Sequence, residues 1–569
     1  MNKLDQASLQ NQILLILNAI YPEKNNTALT ENILTSVRKG LPIEENRPPL
    51  KEDSIYLITY GDAFSAPNIS PLAALHRFAK NYLTETVSDI HLLPMYPFSS
   101  DDGFSVIDYY QVDPASGSWS DIRALSHDFS LMFDCVINHI SKHSQWFTEY
   151  LKDNPDYQRY FIEADIHADY QNAVRPRTTP LLTPFTHSDG RQVNIWTTFS
   201  DDQIDLNFKE PRVLLESINI LLFYAAQGAT SIRLDAIGFI WKEPGERCIH
   251  QPQVHLIIKL WRLILDTVFP GCRIITETNV PHHENIAYFG QGDEAHMVYQ
   301  FPLPPLTLHA FLRGNARWLR EWSRSLERES LPAGTTFFNF IASHDGIGIR
   351  PTENLLEDSE RDFLVSETLR KNGRVSWKNN GDGTASPYEL NINYLSALSE
   401  PNDNNEIKTA KMLAAHAILF SLKGVPALYY HSLLGSENDQ DAVEQSGINR
   451  RINRQKLSLA RLETELSSPE NLRAKVFSAL HNMLQIRKNH PAFSPWAEQK
   501  TLLLADAFFA VERCDQNSGE KITCIVNVSA EHCLLQLDIR GNCLLSHRAF
   551  NGELILAPWQ TLWVKHSVR

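Results

Sequence analysis

The chain has 569 residues, room for a large core and more than one domain. Its 43% hydrophobic and 21% charged content is that of an ordinary globular protein, and no run approaches the about 18 apolar residues of a membrane span. The formal net charge of −14 argues against nucleic acid or an anionic membrane as the main partner.

Residues 1–50 read as a helical lead-in. Leu9, Ile13, Ile16, Leu17 and Ile20 form an apolar stripe at helical spacing, and Pro42, Pro48 and Pro49 end the region. The simplest role is a packing appendage. The start carries Asp5 and several Gln and Asn, unlike a secretion signal. The seven cysteines (135, 248, 272, 514, 524, 533 and 543) are odd in number and lack CxxC spacing, so reduced thiols in the cytoplasm are expected.

From Ser54 short apolar strands of the buried, parallel type alternate with helical stretches. They are Ser54–Tyr60, Asp89–Met95, Leu131–Asn138, Ser231–Ile237, Arg273–Asn279, Met297–Phe301, Thr335–Ser343 and Val425–Leu434. Eight strands alternating with helices predict an α/β fold, a (β/α)₈ TIM barrel, over residues 51–141 and 208–491. The stretch from Asn138 to Ser231 is too long for one helix and its loops. Residues 142–207, rich in Pro, Thr, Asp and aromatics, are therefore expected to form an inserted subdomain after strand 3. A second insertion runs from Glu353 to about Asn405, with a Gly- and Asn-rich piece at Asn379–Gly383. Both open on the carboxyl face of the barrel, where active sites lie. Beyond Ala492, five alternating stretches without helices (Thr501–Arg513, Lys521–Val528, Cys533–Ile539, Cys543–Phe550, Leu554–Lys565) predict a C-terminal antiparallel β domain over 492–569.

The informative stretch is Ser231–Phe239. A helix opened by Pro211 and closed by Gly228 leads into it. Arg233 and Asp235 are two apart and share one side of a strand. Opposite charges need partners when buried, and a strand end facing a pocket supplies them; a structural ion pair is the other reading. Glu277 and Asp345 fall at later strand ends, with His139 and His344 beside them in the barrel order. Acids from different strand ends can converge. Glycosyl transfer needs two, one to attack the anomeric carbon and one to protonate the leaving oxygen. A third can hold sugar hydroxyls.

Asp-Cys-Val-Ile-Asn-His (134–139), Ser-Ile-Arg-Leu-Asp-Ala (231–236), Ile-Ile-Thr-Glu (274–277) and Ala-Ser-His-Asp-Gly (342–346) resemble the four signature segments of the α-amylase superfamily, in the family's order. Pro94–Asp108, Arg175-Pro176-Arg177, Trp196–Leu206 and Asn449–Arg454 resemble the sucrose phosphorylase branch. The lead-in and Phe289–Tyr299 are more similar to the glucosylglycerate phosphorylases.

This resemblance implies roles by position. Asp235 is the expected nucleophile, Glu277 the acid/base and Asp345 the transition-state stabiliser. Arg233 is expected to keep Asp235 ionised. Asp101, His139, His344 and Arg450 match positions that grip the donor glucose, and Phe199 an aromatic facing the oxocarbenium-like centre. Phe239 departs from the tyrosine common in sucrose phosphorylases, which weakens a sucrose assignment.

For an intermediate opened by phosphate rather than water, Arg177 and Arg350 are candidate anion contacts; solvated or structural arginines are the alternative. Glu389 is a candidate for acceptor hydroxyls, with a surface carboxylate as the other reading. His282-His283-Glu284 reads as a surface loop. Asn138 matches a calcium-linked position in many α-amylases, but no accompanying oxygen ligands are evident, so no metal is expected. No P-loop or GxGxxG implies a nucleotide cofactor.

The expected activity is a retaining phosphorylase acting on an α-D-glucoside, 2-O-α-D-glucosylglycerate first, with inorganic phosphate and glucose 1-phosphate as partners. Sucrose, sucrose 6-phosphate and glucosylglycerol are the rival glucosides. A hydrolase or transglucosidase would share every acid, and a non-enzymatic sugar-binding relative would usually lack them.

Overall fold

The computed structural model describes residues 3–40, 47–165, 167–380 and 382–567. Eight parallel strands close into a barrel: β1 (Tyr56–Thr59), β2 (Asp89–Leu92), β3 (Ser130–Cys135), β4 (Ala229–Leu234), β5 (Arg273–Thr276), β6 (Met297–Tyr299), β7 (Thr336–Asn339) and β8 (Val425–Tyr429). Each pairs with its neighbour in the chain, and β8 closes on β1 with Ala427 opposite Tyr56. Six of the eight are buried at every position, and β3 and β4 at all but one. Burial on both faces makes such strands continuous apolar runs, which is why sequence alone located all eight.

Register positions the site. Asp134 on β3 lies opposite Arg233 on β4. Leu234 at the end of β4 lies opposite Thr276 at the end of β5. Asp235 and Glu277, each one residue further, leave adjacent strands at the same level. The amides of both are still tied to the preceding strand, Asp235 N–H to Cys135 O at 3.2 Å and Glu277 N–H to Leu234 O at 3.1 Å.

Two N-terminal helices, α1 (Lys3–Ile20) and α2 (Thr27–Gly40), pack on α3 (Pro211–Ala226) and α4 (Pro252–Val268), the helices flanking β4. Leu9, Ile13, Leu17 and Ile20 of the expected stripe are buried and Ile16 is partly so. The Tyr21 hydroxyl donates to Phe208 O at 2.6 Å, and Ser36 bonds Asn219 at 2.7 Å. Of the prolines expected to end this region, Pro42 lies outside the described residues.

After β3 the chain builds a helix (Gln145–Leu151), a hairpin (Leu182–Thr186 with Gln192–Trp196) and a strand pair (His139–Ser141 with Gln203–Asp205) before α3. After β7 it builds a three-stranded antiparallel sheet from Ile347–Gly348, Ala385–Asn391 and Arg374–Asn379, with a helix over Asp358–Arg370. The Gly- and Asn-rich piece joins two of those strands; its Gly381 lies outside the described residues.

The C-terminal region is a six-stranded antiparallel sheet with a separate antiparallel pair, Cys533–Gln536 and Glu553–Leu556, whose connection carries two strands of the larger sheet. Three of the five expected stretches are interrupted, two of them at a residue with positive φ. Those two divisions fall at His547 and Trp559, whose φ values of 57° and 55° lie in the left-handed region, which an extended strand cannot accommodate. Thr501–Arg513 is likewise interrupted, by a turn in which Phe508 N–H bonds Ala505 O. Among the described residues no helix is long and apolar enough to cross a membrane.

Two fully buried arginines tie carbonyls together where this sheet meets the barrel, Arg513 from the sheet itself and Arg487 from the end of the preceding helix. Arg513 donates to Ser421 O at 2.9 Å and Ser494 O at 2.7 Å. Arg487 donates to Phe420 O at 3.1 Å, Phe493 O at 2.9 Å and Glu52 O. Arg513→Met should leave several buried carbonyls unpaired and lower the unfolding free energy by about 2–4 kcal/mol. Thermal or denaturant unfolding checks this; an unchanged midpoint would show that the carbonyls find other donors.

Candidate active site

A cleft of about 1120 Å³, open mouth included, lies at the carboxyl ends of the strands. Every residue given a catalytic or sugar-, anion- or acceptor-binding role in the sequence lines it except Arg233, which lies beneath its floor.

Arg233 is 1% exposed and organises the floor. Its Nη1 pairs with Asp134 and lies 2.9 Å from Asp235 Oδ1; its Nη2 is 3.8 Å from Glu277 Oε2. The rings of Phe104 and Tyr299 lie within 5.8 and 5.5 Å of its guanidinium. Asp134 is itself bonded to His91 at 2.7 Å. Ala236 follows Asp235 at φ 47°, a left-handed turn that aims its N–H at Glu277 Oε2, 3.0 Å away.

The electrostatics follow from burial and charge. Burial pushes Asp235 well above the usual carboxylate range; Arg233 opposes this and the Glu277 carboxylate adds to it. Burial raises Glu277 in the same way, again against Arg233. The two behave as a coupled pair holding a proton above the ordinary range. Arg233 lowers Asp235 but is shared with Asp134 and Glu277, and burial outweighs it. Asp345 behaves oppposite to the pair: burial raises it, but Arg450, Arg454, Arg233 and Arg177 together hold it below the usual range.

Arg450 is the second organising cation. It lies 2.9 Å from Asp345 Oδ1 and 3.8 Å from Asp101 Oδ2, and its other edge grips Glu389 through two bonds of 3.0 and 2.8 Å. Glu389 is only 2% exposed, which excludes the surface-carboxylate reading. Asp101 and the adjacent Asp102 take φ values of 51° and 47°, and arginines hold both: Arg454 reaches Asp101 at 3.4 Å and Asp102 at 3.0 Å, and Arg451 reaches Asp102 at 2.8 Å. Left-handed φ at Asp101, Asp102 and Ala236 places backbone strain around the cleft.

His139 donates from Nε2 to Phe104 O at 2.8 Å, and its Nδ1 faces Asn138 Nδ2 at 3.1 Å. His344 stacks flat on Phe104 at 4.7 Å, with Nε2 at 3.4 Å from Asp345. Phe199 meets Phe239 edge to face at 5.6 Å, so the ring that replaces the expected tyrosine packs against another aromatic. Arg177 lies between Phe199 and Tyr388, at 5.6 and 5.1 Å, joining the two insertions. Neither Arg177 nor Arg350 has a carboxylate partner among the described residues.

Several participants escaped the sequence reading. Phe104, Asp102 and Arg454 lay inside quoted segments but were assigned no role. Gln203 lies inside the segment Trp196–Leu206 but has no role of its own there, and Asn279 and Tyr388 reach the cleft only through the fold. At Asn138, a lysine occupies the place beside the side-chain oxygen: Lys242 Nζ lies 2.8 Å from Asn138 Oδ1 and 2.7 Å from Asp205 Oδ2, fully buried. His282-His283-Glu284 begins a short helix rather than a loop, and its members diverge, His282 to Glu329 at 2.9 Å and Glu284 to His250 at 3.0 Å.

The closed barrel and its acids at the carboxyl end are those of the α-amylase class; residues 81–349 match the family described as alpha amylase, catalytic domain. The glucosylglycerate phosphorylase of Spirochaeta thermophila is 48% identical over 483 residues, 85% of this chain and 82% of that one. That of Escherichia coli is 46% identical over 531 residues, 93% and 94% of the two chains. In fold, the sucrose 6F-phosphate phosphorylase from Thermoanaerobacter thermosaccharolyticum is similar with a TM-score of 0.72 at 23% identity, covering 84% of this chain and 94% of that one. The chain belongs to the glucosylglycerate phosphorylase family.

Lys242→Met should strand the Asp205 carboxylate in the interior. Removing one partner of a buried pair costs about 3–5 kcal/mol, so the melting temperature should fall markedly. A variant as stable as the parent would show that the ammonium is dispensable.

Proposed function

We propose that this protein catalyses the reversible phosphorolysis of 2-O-α-D-glucosylglycerate to α-D-glucose 1-phosphate and glycerate by double displacement. One observation supports this reading above the others. The coupled acids Asp235 and Glu277 share a buried cleft with two guanidiniums, Arg177 and Arg350, that are matched to no carboxylate among the described residues. A cleft with uncommitted cations suits two anionic reactants, phosphate and a carboxylate-bearing acceptor. The names of the relatives point the same way.

In the first displacement an Asp235 oxygen attacks the anomeric carbon. The bond from that carbon to the glycerate oxygen breaks, and the proton on Glu277 passes to the departing oxygen. The direct contact of Arg233 with Asp235, at 2.9 Å against 3.8 Å for Glu277, opposes the upward push of burial at Asp235, and in this reading the anion sits on Asp235 and the proton on Glu277. Positive charge developing at the sugar ring faces Phe199. Asp345, Asp101, His139, His344 and Arg450 hold the glucose hydroxyls, with Glu389 fixing Arg450. In the second displacement phosphate, drawn by Arg177 and Arg350, gives its proton to the Glu277 carboxylate. A phosphate oxygen then replaces Asp235 on the anomeric carbon. Two inversions return the α configuration. The seven unpaired cysteines fit a reducing, cytoplasmic setting.

Asp235→Asn should lose several orders of magnitude in turnover, more than the about 10²–10⁴ usual for acid–base assistance. Near-normal activity would sink the mechanism. Glu277→Gln tests the proton. In the wild type the rate should fall as acid protonates Asp235 and as alkali deprotonates Glu277, with both limbs displaced upward by burial. The glutamine variant should lose the alkaline limb; keeping it would assign the proton elsewhere. Omitting phosphate should abolish glucose 1-phosphate, and rapid release of free glucose instead would identify a hydrolase.

A further inference from the structure

Two polar atoms of opposite type lie buried on the cleft lining without a hydrogen-bond partner among the described residues. Asn279 Oδ1 is an acceptor and Arg350 Nε–H a donor. Unpaired buried polar atoms are costly, and in a binding cleft a ligand is the natural partner. Asn279 follows Glu277 by two residues, on the side from which the leaving oxygen is protonated. Its amide rests on Gly348: a Cβ there would stand 2.9 Å from both Nδ2 and Oδ1. Arg350 follows Gly348 by two residues. Gly348 thus links the two, one to the strand pair of the second insertion and the other to the loop after β5. His344 Nδ1, also without a hydrogen-bond partner, lies by contrast against Phe104 on the donor-sugar side, where Asp345 Oδ1 is already paired with Arg450 at 2.9 Å.

No carboxylate lies within ion-pair reach of Arg350 among the described residues. Nearby His250 is held neutral by burial, down to about 4, and is occupied by Glu284 at 3.0 Å and Tyr288 at 2.6 Å.

We propose that Asn279 and Arg350 act together to read the acceptor as a hydroxy acid. Arg350 binds the carboxylate, and Asn279 Oδ1 accepts a hydrogen bond from the free hydroxyl beyond the glucosylated carbon. This rests on the acceptor reading above and deepens it. Glycerate carries both groups, one on either side of its C2 oxygen. A neutral polyol leaves the guanidinium unpaired, and an acid without the second hydroxyl leaves Asn279 unpaired. Sites built to bond a group reject analogues that lack it.

The test compares glycerate, lactate and glycerol as acceptors, with phosphate release from glucose 1-phosphate as the readout. Lactate is glycerate without the C3 hydroxyl. Asn279→Ala should lower kcat/KM for glycerate about 3- to 10-fold, the effect of one neutral hydrogen bond, while leaving lactate unchanged. Gly348→Ala, which displaces the Asn279 amide, should do the same. Arg350→Ala should lower kcat/KM for glycerate and lactate by about 10- to 100-fold relative to glycerol, the ratio separating the acceptor role from any loss in phosphate binding common to all three. If lactate turns over too slowly, its inhibition constant against glycerate carries the same comparison. An equal fall for all three acceptors would mean a structural role and overturn the assignment. So would a glycerate-to-lactate ratio unmoved by Asn279→Ala. A wild type that uses glycerol as readily as glycerate would overturn the acceptor reading itself; a wild type that prefers glycerate, with variants that leave the ratios unmoved, would overturn only the roles of Asn279 and Arg350.

Discussion

One buried guanidinium holds the chemical end of this barrel together. Arg233 is 1% exposed, and three carboxylates surround it: Asp134, Asp235 and Glu277. A lone charge at that depth would be intolerable. Each carboxylate needs the arginine as much as the arginine needs them, so none can leave without stranding the others. Asp134 is further tied to His91, which fixes one side of the cluster and leaves the other to face the cleft. Burial raises Asp235 and Glu277, and one cation shared among three carboxylates does not offset it. A pair of carboxyls held above the usual range suits a two-step acid–base cycle.

The rest of the cleft divides its cations into two groups. Arg450, Arg451 and Arg454 are matched to Asp101, Asp102, Asp345 and Glu389, and hold a rigid donor side. Arg177 and Arg350, contributed by the insertions after β3 and β7, have no such match among the described residues. The rigid half joins the barrel ends and the loops beside them to Glu389 of the second insertion, and the uncommitted cations face it across the cleft. Chains sharing this barrel can therefore keep one sugar chemistry and vary what arrives or leaves opposite it.

Left-handed backbone recurs where the cleft demands it. Asp101, Asp102 and Ala236 all take φ values near 50° without being glycine. The ion pairs around Asp101 and Asp102 hold that conformation, and at Ala236 the turn delivers an N–H to Glu277. Strain of this kind persists only where surrounding contacts outweigh it.

The sequence by itself determined the barrel, because strands buried on both faces must be apolar throughout and so announce themselves. It also determined the acids. Asp235, Glu277 and Asp345 lie at or beyond strand ends, where a charge can face a pocket. What it could not determine was how charges distant in the chain divide their partners. Glu389 and Arg450 look alike as surface or site residues until the fold brings them into a two-bonded pair with 2% exposure. Lys242 beside Asn138, and Asn279 resting on Gly348, have no periodicity or motif to mark them. Periodicity records burial, which is a local demand repeated along a strand. Pairing is a matter of distance in three dimensions, and only the tertiary structure sets it.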